Sequence, residues 1–264
     1  MITIYTFAHK RPDFIELQLK SFKKNLKDEF KFVVFNNASF DINKKHYNEI
    51  LTICSNNNLN CIDVQVDKEL VKTIESYNNE IVFDKNGAYF NAVIACAYPL
   101  CYTWKHVISK TTGQACIIDS DMFYIKQENI SEMLLDSDLI FLSQSSGHVK
   151  YMWNGIVYMN LDNLPNKEEL NWWCGRIDGQ PLDVGGHTYH YLNKYHDKLK
   201  IKHFSQDHIK EDAECNFSPP NYEYIGVIGN SKCILHYRGG SNWDAKAPDY
   251  HDKKTKWLIG KLNE

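Results

Sequence analysis

Alternation is the feature that most constrains this chain. Within the first 67 residues, short apolar runs of strand length take turns with stretches of helix length. ITIYTFA (2–8) predicts a strand. Pro12-Asp13 suits a first helical turn after the loop His9-Lys10-Arg11, and Phe14, Leu17, Phe22 and Leu26 then roughly keep helical spacing. FKFVVFNN (30–37) predicts the second strand and a helix follows near 43–56. The alternating CIDVQVD (61–67) predicts a strand exposed on one face. Units of this kind, at this spacing, stack helices on a largely parallel sheet. The expected fold class is therefore α/β: a mixed, mostly parallel central sheet flanked by helices.

Beyond this point, 86–109 is rich in Ala and aromatic residues, with Ala88, Ala92 and Ala95 near helical spacing and Pro99 as a kink or restart. Strands are expected at QACIID, at DLIFLSQ (138–144) and at NGIVYMN (154–160), and a helix around 166–174. Periodicity weakens in the second half, where His, Tyr, Trp and Gly accumulate as they do on binding surfaces made of loops. KCILHYR (232–238) predicts a last strand running into GGSNW. Trp257, Leu258 and Leu262 mark a docked terminal helix, and the lysine-rich DKKTK reads as a solvated face. With 264 residues, 43% of them hydrophobic, one large domain is the simplest arrangement.

Thirty Lys+Arg against thirty-three Asp+Glu give a formal net charge of −3, which argues against a nucleic-acid partner. The eight cysteines are scattered without a CxxC pair, so they read as reduced and mostly buried thiols. The opening lacks a basic leader with a cleavage site, and no apolar run approaches the roughly 18 residues of a membrane span. A soluble, cytoplasmic protein with no integral membrane segment is expected. Oligomeric state is not legible.

Asp119-Ser120-Asp121 follows the apolar run CII directly. Two carboxylates one residue apart at the mouth of a strand offer hard oxygen ligands to Mg2+ or Mn2+, which usually takes substrate phosphate oxygens as well. The same three residues also suit a solvated turn or a helix start. Their place after an apolar strand at mid-chain, behind an alternating first half, favours the metal reading.

The run from Asn86 to Phe123, NGAYFNAVIACAYPLCYTWKHVISKTTGQACIIDSDMF, resembles the stretch of family 2-like GT-A glycosyltransferases in which a Gly/Ala-rich helix leads into a hydrophobic strand ending in DxD. TIYTFAHKRPDFIELQLKSF is similar to the opening strand, nucleotide loop and first helix of that fold, and FKFVVFNNAS to its second strand; the likeness covers about residues 1–160. The resemblance implies a single GT-A domain, with 1–125 the nucleotide-sugar-binding half and 126–264 the acceptor-binding half. It implies a metal-dependent transfer from a nucleoside diphosphate sugar to a hydroxyl of a carbohydrate or glycoconjugate, with Mn2+ or Mg2+ as cofactor.

Residue by residue, the resemblance places Thr6 and Arg11 at the nucleotide and Asn36 or Asn37 near base or ribose, where the family more often has Asp. Asn91 and Ser120 join the donor-binding set, and Asp119 contacts metal or ribose. His236 in HYRGGSNW resembles a third metal ligand beside Asp119 and Asp121, with Arg238 and the following glycines suited to a diphosphate. A hydrogen-bonded histidine at a strand end is the ordinary alternative. Asp183 in QPLDVGGHTYHYL is the expected base of an inverting reaction, or else a cap before the Gly pair. YMWNGIVYMN is similar to an acceptor-side strand, with Trp153 stacking on a sugar and Asn154 bonding a hydroxyl, and His187 is a further acceptor contact. Trp153, Trp172 and Trp173 are also natural packing residues. Three other readings stay open: a retaining GT-A enzyme, a nucleotidyltransferase (although its Gly-rich, Lys-containing first loop is missing), and a catalytically silent carbohydrate-binding protein of the same fold.

Overall fold

β-branched and aromatic side chains on both faces of ITIYTFA make the first strand, β1 (Ile2–Ala8), buried along most of its length. The computed structural model describes residues 1–40, 44–78, 81–84, 87–208, 222–227, 230–240 and 248–264. After β1, Pro12 caps α1 (Asp13–Asn25), whose Phe14, Ile15, Leu19 and Phe22 turn inward. Next come β2 (Phe30–Asn36), α2 (Lys45–Asn56), β3 (Asn60–Asp63) and α3 (Lys68–Asn78). β2 and β4 (Gln114–Ile118) both pair with β1 in parallel, and β3 extends the parallel set beyond β2. The strand expected at 61–67 stops early because Val64 turns in to be buried, its N–H donating to the Asn36 carbonyl.

Between β3 and β4 lies α4 (Ala92–His106), capped by the Asn91 side chain, which accepts from the Ile94 N–H. Pro99 stays inside this helix instead of restarting it. A proline cannot donate to the carbonyl four residues back. The Ala95 carbonyl so released accepts the Asn37 Nδ2 at 2.7 Å, which ties the end of β2 to α4.

Antiparallel strands complete the sheet. They are β5 (Met122–Tyr124), then, beyond the single turn α5 (Ile130–Met133), β6 (Leu139–Ser146) and β7 (Val149–Asn160). The small hairpin β8 (Gly175–Ile177) and β9 (Gln180–Leu182) stands apart and leads to α6 (Thr188–Tyr195). β10 (Ile201–His208), β11 (Glu223–Val227), β12 (Asn230–His236) and α7 (Pro248–Asn263) follow. The described strands make a ten-stranded mixed sheet in the order β3-β2-β1-β4-β7-β6-β10-β11-β12-β5. It is parallel over β3-β2-β1-β4 and at β6-β10, and antiparallel elsewhere. One face packs Tyr5, Phe35, Tyr98 and Trp104 together, the other Ile4, Phe22, Val34 and Tyr158. The α/β reading therefore stands. Among the described residues, no helix is long and apolar enough to cross a membrane.

Two local expectations are corrected. The helix around 166–174 is a single turn at Lys167–Glu169 followed by extended chain. Trp172 and Trp173 are wholly buried there, and their carbonyls accept from Gly185 N–H and His187 N–H, so the backbone is paired sideways and cannot coil. Within DKKTK, Lys254 is not solvated: it is 1% exposed, its Nζ lies 3.7 Å from the Tyr237 ring centre and donates to the Arg238 carbonyl. The other lysines of that stretch face solvent. Leu258 and Leu262 dock α7 against Phe14, Phe123 and Tyr237, as the terminal pattern implied. Seven cysteines are free thiols, five of them buried. Cys215, Ser241 and Trp243 lie outside the described residues.

Candidate functional site

In a parallel set the carboxyl ends of the strands share one rim, where crevices form. β1, β2 and β4 deliver 9–11, Asn37 and 119–121 to that rim, and the first turn of α4 closes its side. Together they enclose a cavity of about 420 Å3. Its walls include Lys10, Arg11, Asn37, Asn91, Cys96 and the three residues Asp119, Ser120 and Asp121.

The turn carrying the two aspartates is held from every side. Asp119 N–H donates to the Gly155 carbonyl on β7, and Met122 N–H closes the turn onto the Asp119 carbonyl. Buried Gln18 on α1 donates to the Asp119 and Met122 carbonyls, and Tyr237 N–H to the Asp121 carbonyl. Glycine is required at 155 because the Trp153 ring covers it; an added Cβ would sit 2.4 Å from that ring. At 240 an added Cβ would meet Asp121 at 2.7 Å. Gly240 instead donates its N–H to Asp121 Oδ2 at 2.9 Å.

The two carboxylates differ electrically. Burial, then the adjacent Asp121 charge, pushes Asp119 up to about 7. Burial acts on Asp121 in the same direction, but the His236 imidazolium and the Gly240 N–H outweigh it and hold Asp121 below its ordinary value. His236 Nε2 lies 3.5 Å from Asp121 Oδ1, and its Nδ1 is 3.0 Å from Glu223. Burial alone would depress this imidazole; Asp121 and Glu223 raise it to about 9. Glu223 sits opposite His236 in the β11-β12 register and also receives Arg238 at 3.0 Å and Gln206.

Two buried carboxylates with surplus negative charge are the hard oxygen donors that a divalent cation needs, so the donor set fits Mn2+ or Mg2+. Among the described residues, no three His, Cys, Asp or Glu groups surround a common point. His236 leans on Asp121 and is itself oriented by Glu223, the arrangement of a carboxylate-supported imidazole.

The expected residues divide. Arg11, Asn91, Asp119, Ser120, Asp121 and Asn154 line the cavity, and Asn154 Nδ2 donates to Asp119 Oδ1 at 3.2 Å. Arg11 faces it with its fork already engaged by Asp13 at 2.8 and 2.6 Å. Asn37 lines the cavity, whereas Asn36 turns away to Tyr47 and Ala38. Thr6 is fully buried on β1 with no partner for its hydroxyl. Trp153 packs on the core beside His236, with ring centres 5.4 Å apart, and Arg238 clasps Glu223 from an exposed position. Asp183 is exposed, Oδ1 accepting the Val184 N–H, and close enough to add to the negative charge felt by Asp119 and Cys96. Glu223 and Gln18 were not legible: each is a lone polar residue whose partner lies across the fold, and only the strand register and the α1 packing reveal it.

His187 packs beneath this side, against Tyr77 and His190, with a buried Nε2 that has no partner. Burial, then His190, pushes it down from 6.5 to about 4. The unfolded chain therefore binds more protons between those values, and stability falls as pH drops through that window. Relative to a His187→Phe protein, the native chain should lose about 2–3 kcal/mol between pH 6.5 and 4, read by urea unfolding. Parallel stability curves would remove His187 as a titrating group.

No family model and no curated protein matches this sequence. In three dimensions the chain is similar to the mannosyltransferase PcManGT of Pyrobaculum calidifontis, solved with GDP-Man and Mn2+ (10% identity, 76% of this chain and 53% of that one, TM-score 0.45). It is also similar to core-mannan synthase A of Aspergillus fumigatus in an Mn/GDP form (9% identity, 88% and 76% covered, TM-score 0.49). A third likeness is to the glycosyltransferase GlyE of Streptococcus pneumoniae (10% identity, 99% and 62% covered, TM-score 0.41). The chain spans about half to three fifths of the length of the first two solved chains it matches, 53% and 58%.

Proposed function

We propose that this chain is a metal-dependent GT-A glycosyltransferase that moves a sugar from a nucleoside diphosphate sugar to a hydroxyl of a carbohydrate or glycoconjugate acceptor. The observation that carries the reading is Asp119 and Asp121 at the carboxyl end of β4, on the wall of a cavity of about 420 Å3. Residues 1–125 form the donor half and 126–264 the acceptor half. The free, mostly buried thiols suit a reducing, cytoplasmic setting.

Asp119 and Asp121 offer the metal their oxygens. His236 adds Nε2 while its Nδ1–H stays on Glu223, which requires the proton now shared with Asp121 to leave. A bound Mn2+ or Mg2+ would neutralise the departing diphosphate. The amino end of α4, with Asn91, Ala92, Ala95 and Cys96 on the cavity wall, turns the positive end of a helix toward the same anion, and Lys10 adds a cation. Asn154 keeps Asp119 oriented. Asp183, on the acceptor side, takes the hydroxyl proton if the transfer inverts the anomeric centre.

A thermal-shift panel of UDP-, GDP-, dTDP- and CMP-sugars with and without Mn2+ identifies the donor, because a ligand stabilises the fold it binds. With that donor, the native chain should release nucleoside diphosphate slowly in Mn2+ alone and faster with acceptor. Release in neither condition would leave a silent carbohydrate-binding protein, and pyrophosphate from a sugar phosphate would point to a nucleotidyltransferase. The product anomer, read by NMR, decides Asp183: an inverted product lost in Asp183→Asn supports the base, and a retained one removes it.

A further inference from the structure

A second concavity of about 400 Å3 opens on the outer side of α4. Ile81, Phe90, Val93, Ile94 and Leu182 line it, and Asn91 belongs to both this groove and the aspartate cavity. The first turn of α4 is therefore a shared wall: Ala92, Ala95 and Cys96 face the cavity, while Val93 and Ile94 face the groove.

Three of the eight large apolar side chains exposed among the described residues meet here: Phe90 at 57%, Ile81 at 51% and Val93 at 41% exposure. Apolar surface gathered in one concavity marks a binding site where scattered apolar residues would not. The volume suits one small molecule or a segment of one. The opposite lip ends at Leu182, which the chain follows with Asp183, the residue assigned to the acceptor hydroxyl. A molecule with its hydroxyl at Asp183 has this groove as the direct continuation of its path.

We propose that the groove holds the apolar aglycone of the acceptor, so that the preferred acceptor is a sugar carrying an alkyl or aryl group and not a free sugar. This rests on the glycosyltransferase reading above. The sugar would lie at the rim between Asn91 and Asp183, with the apolar group along Phe90, Val93 and Ile94, where it covers side chains that otherwise face water.

Octyl and methyl β-D-glycosides of glucose, galactose and mannose, kept below the octyl compounds' micelle concentration, test it. Two readouts apply: KM for nucleoside diphosphate release, and direct binding by saturation-transfer NMR. The octyl member of the accepted pair should have a KM at least about ten-fold lower, since each buried methylene contributes about 0.8 kcal/mol. Phe90→Ser and Val93→Ser should bring that ratio toward unity, whereas Leu135→Ser, on an exposed turn elsewhere, should leave the octyl preference in place. Equal KM and equal binding for octyl and methyl compounds would overturn the proposal while leaving the transferase reading intact. Octyl binding that Val93→Ser abolishes, in a protein that never releases nucleoside diphosphate, would uphold the apolar groove and sink the transferase reading. A concentration-dependent dimer dissociated by Val93→Ser would give the groove to a second copy and overturn it.

Discussion

An Asp121→Asn protein is expected to fold normally and to lose its metal-dependent chemistry. Asparagine keeps an oxygen for the Gly240 N–H, now 2.9 Å from Oδ2, so the turn between β4 and β5 retains its tie to the loop after β12. The charge is what disappears. His236 loses the largest influence that raises it, and Asp119 is no longer pushed up by its neighbour. A divalent cation would then meet one carboxylate instead of two. Mn2+-dependent affinity for nucleoside diphosphate should fall at least about 100-fold, and turnover about 1000-fold, the scale on which single preorganised charges act in such sites. Calorimetry with the diphosphate in Mn2+ and in EDTA separates the two terms. Metal-free stability should change by no more than about 1–2 kcal/mol, the scale of one charge-assisted hydrogen bond. Affinity equal to that of the native chain would end the assignment of Asp121 to the metal.

Gly185→Ala is expected to be the most damaging single methyl group in the acceptor half. Gly185 has φ +88°, a region that side chains rarely adopt, and an added Cβ would stand 2.1 Å from the Met152 carbonyl oxygen. That oxygen belongs to β7 and cannot swing aside. The Gly185 N–H also holds the Trp172 carbonyl, and its carbonyl accepts the Thr188 hydroxyl, which in turn receives Met152 N–H. Moving the loop would break this set together and shift Asp183 beside it. A loss of about 3 kcal/mol or more follows from backbone strain added to overpacking. Gly179→Ala is the control: φ is +77° there, yet nothing lies within 4 Å of the added Cβ, so only strain of about 1–2 kcal/mol applies. Equal midpoints for the two variants in urea unfolding would show that the contact with Met152 yields easily.

The parallel half was legible because its strands are buried on both faces. A strand such as β1 has to be apolar almost throughout, and the helices between strands have to carry apolar stripes, so periodicity announces both. Asp119 and Asp121 were legible for a related reason: charged residues placed directly after a buried strand must emerge at its mouth. The extended segment through Trp172 and Trp173 defeated the same logic. Its apolar residues read as a helix, yet the carbonyls beside them are taken by the 185–187 loop, a competition between partners about a dozen residues apart that no local pattern displays. Lys254 is comparable. In a lysine-rich stretch it reads as solvated, and only the Tyr237 ring and the Arg238 carbonyl, brought by the β12 end, give its ammonium a buried place.

The amino-acid sequence by itself determined that this chain alternates strands and helices, that its first half packs an α/β sheet, and that Asp119 and Asp121 stand together where that sheet opens. Short-range periodicity and the burial of strands carry that much. Tertiary structure alone decided that His236 meets Asp121 with Glu223 behind it, that Asn37 and not Asn36 faces the cavity, and that α4 separates a polar cavity from an apolar groove. Those relations depend on strand register and on which face of an element meets which neighbour, and both are settled only when distant segments pack.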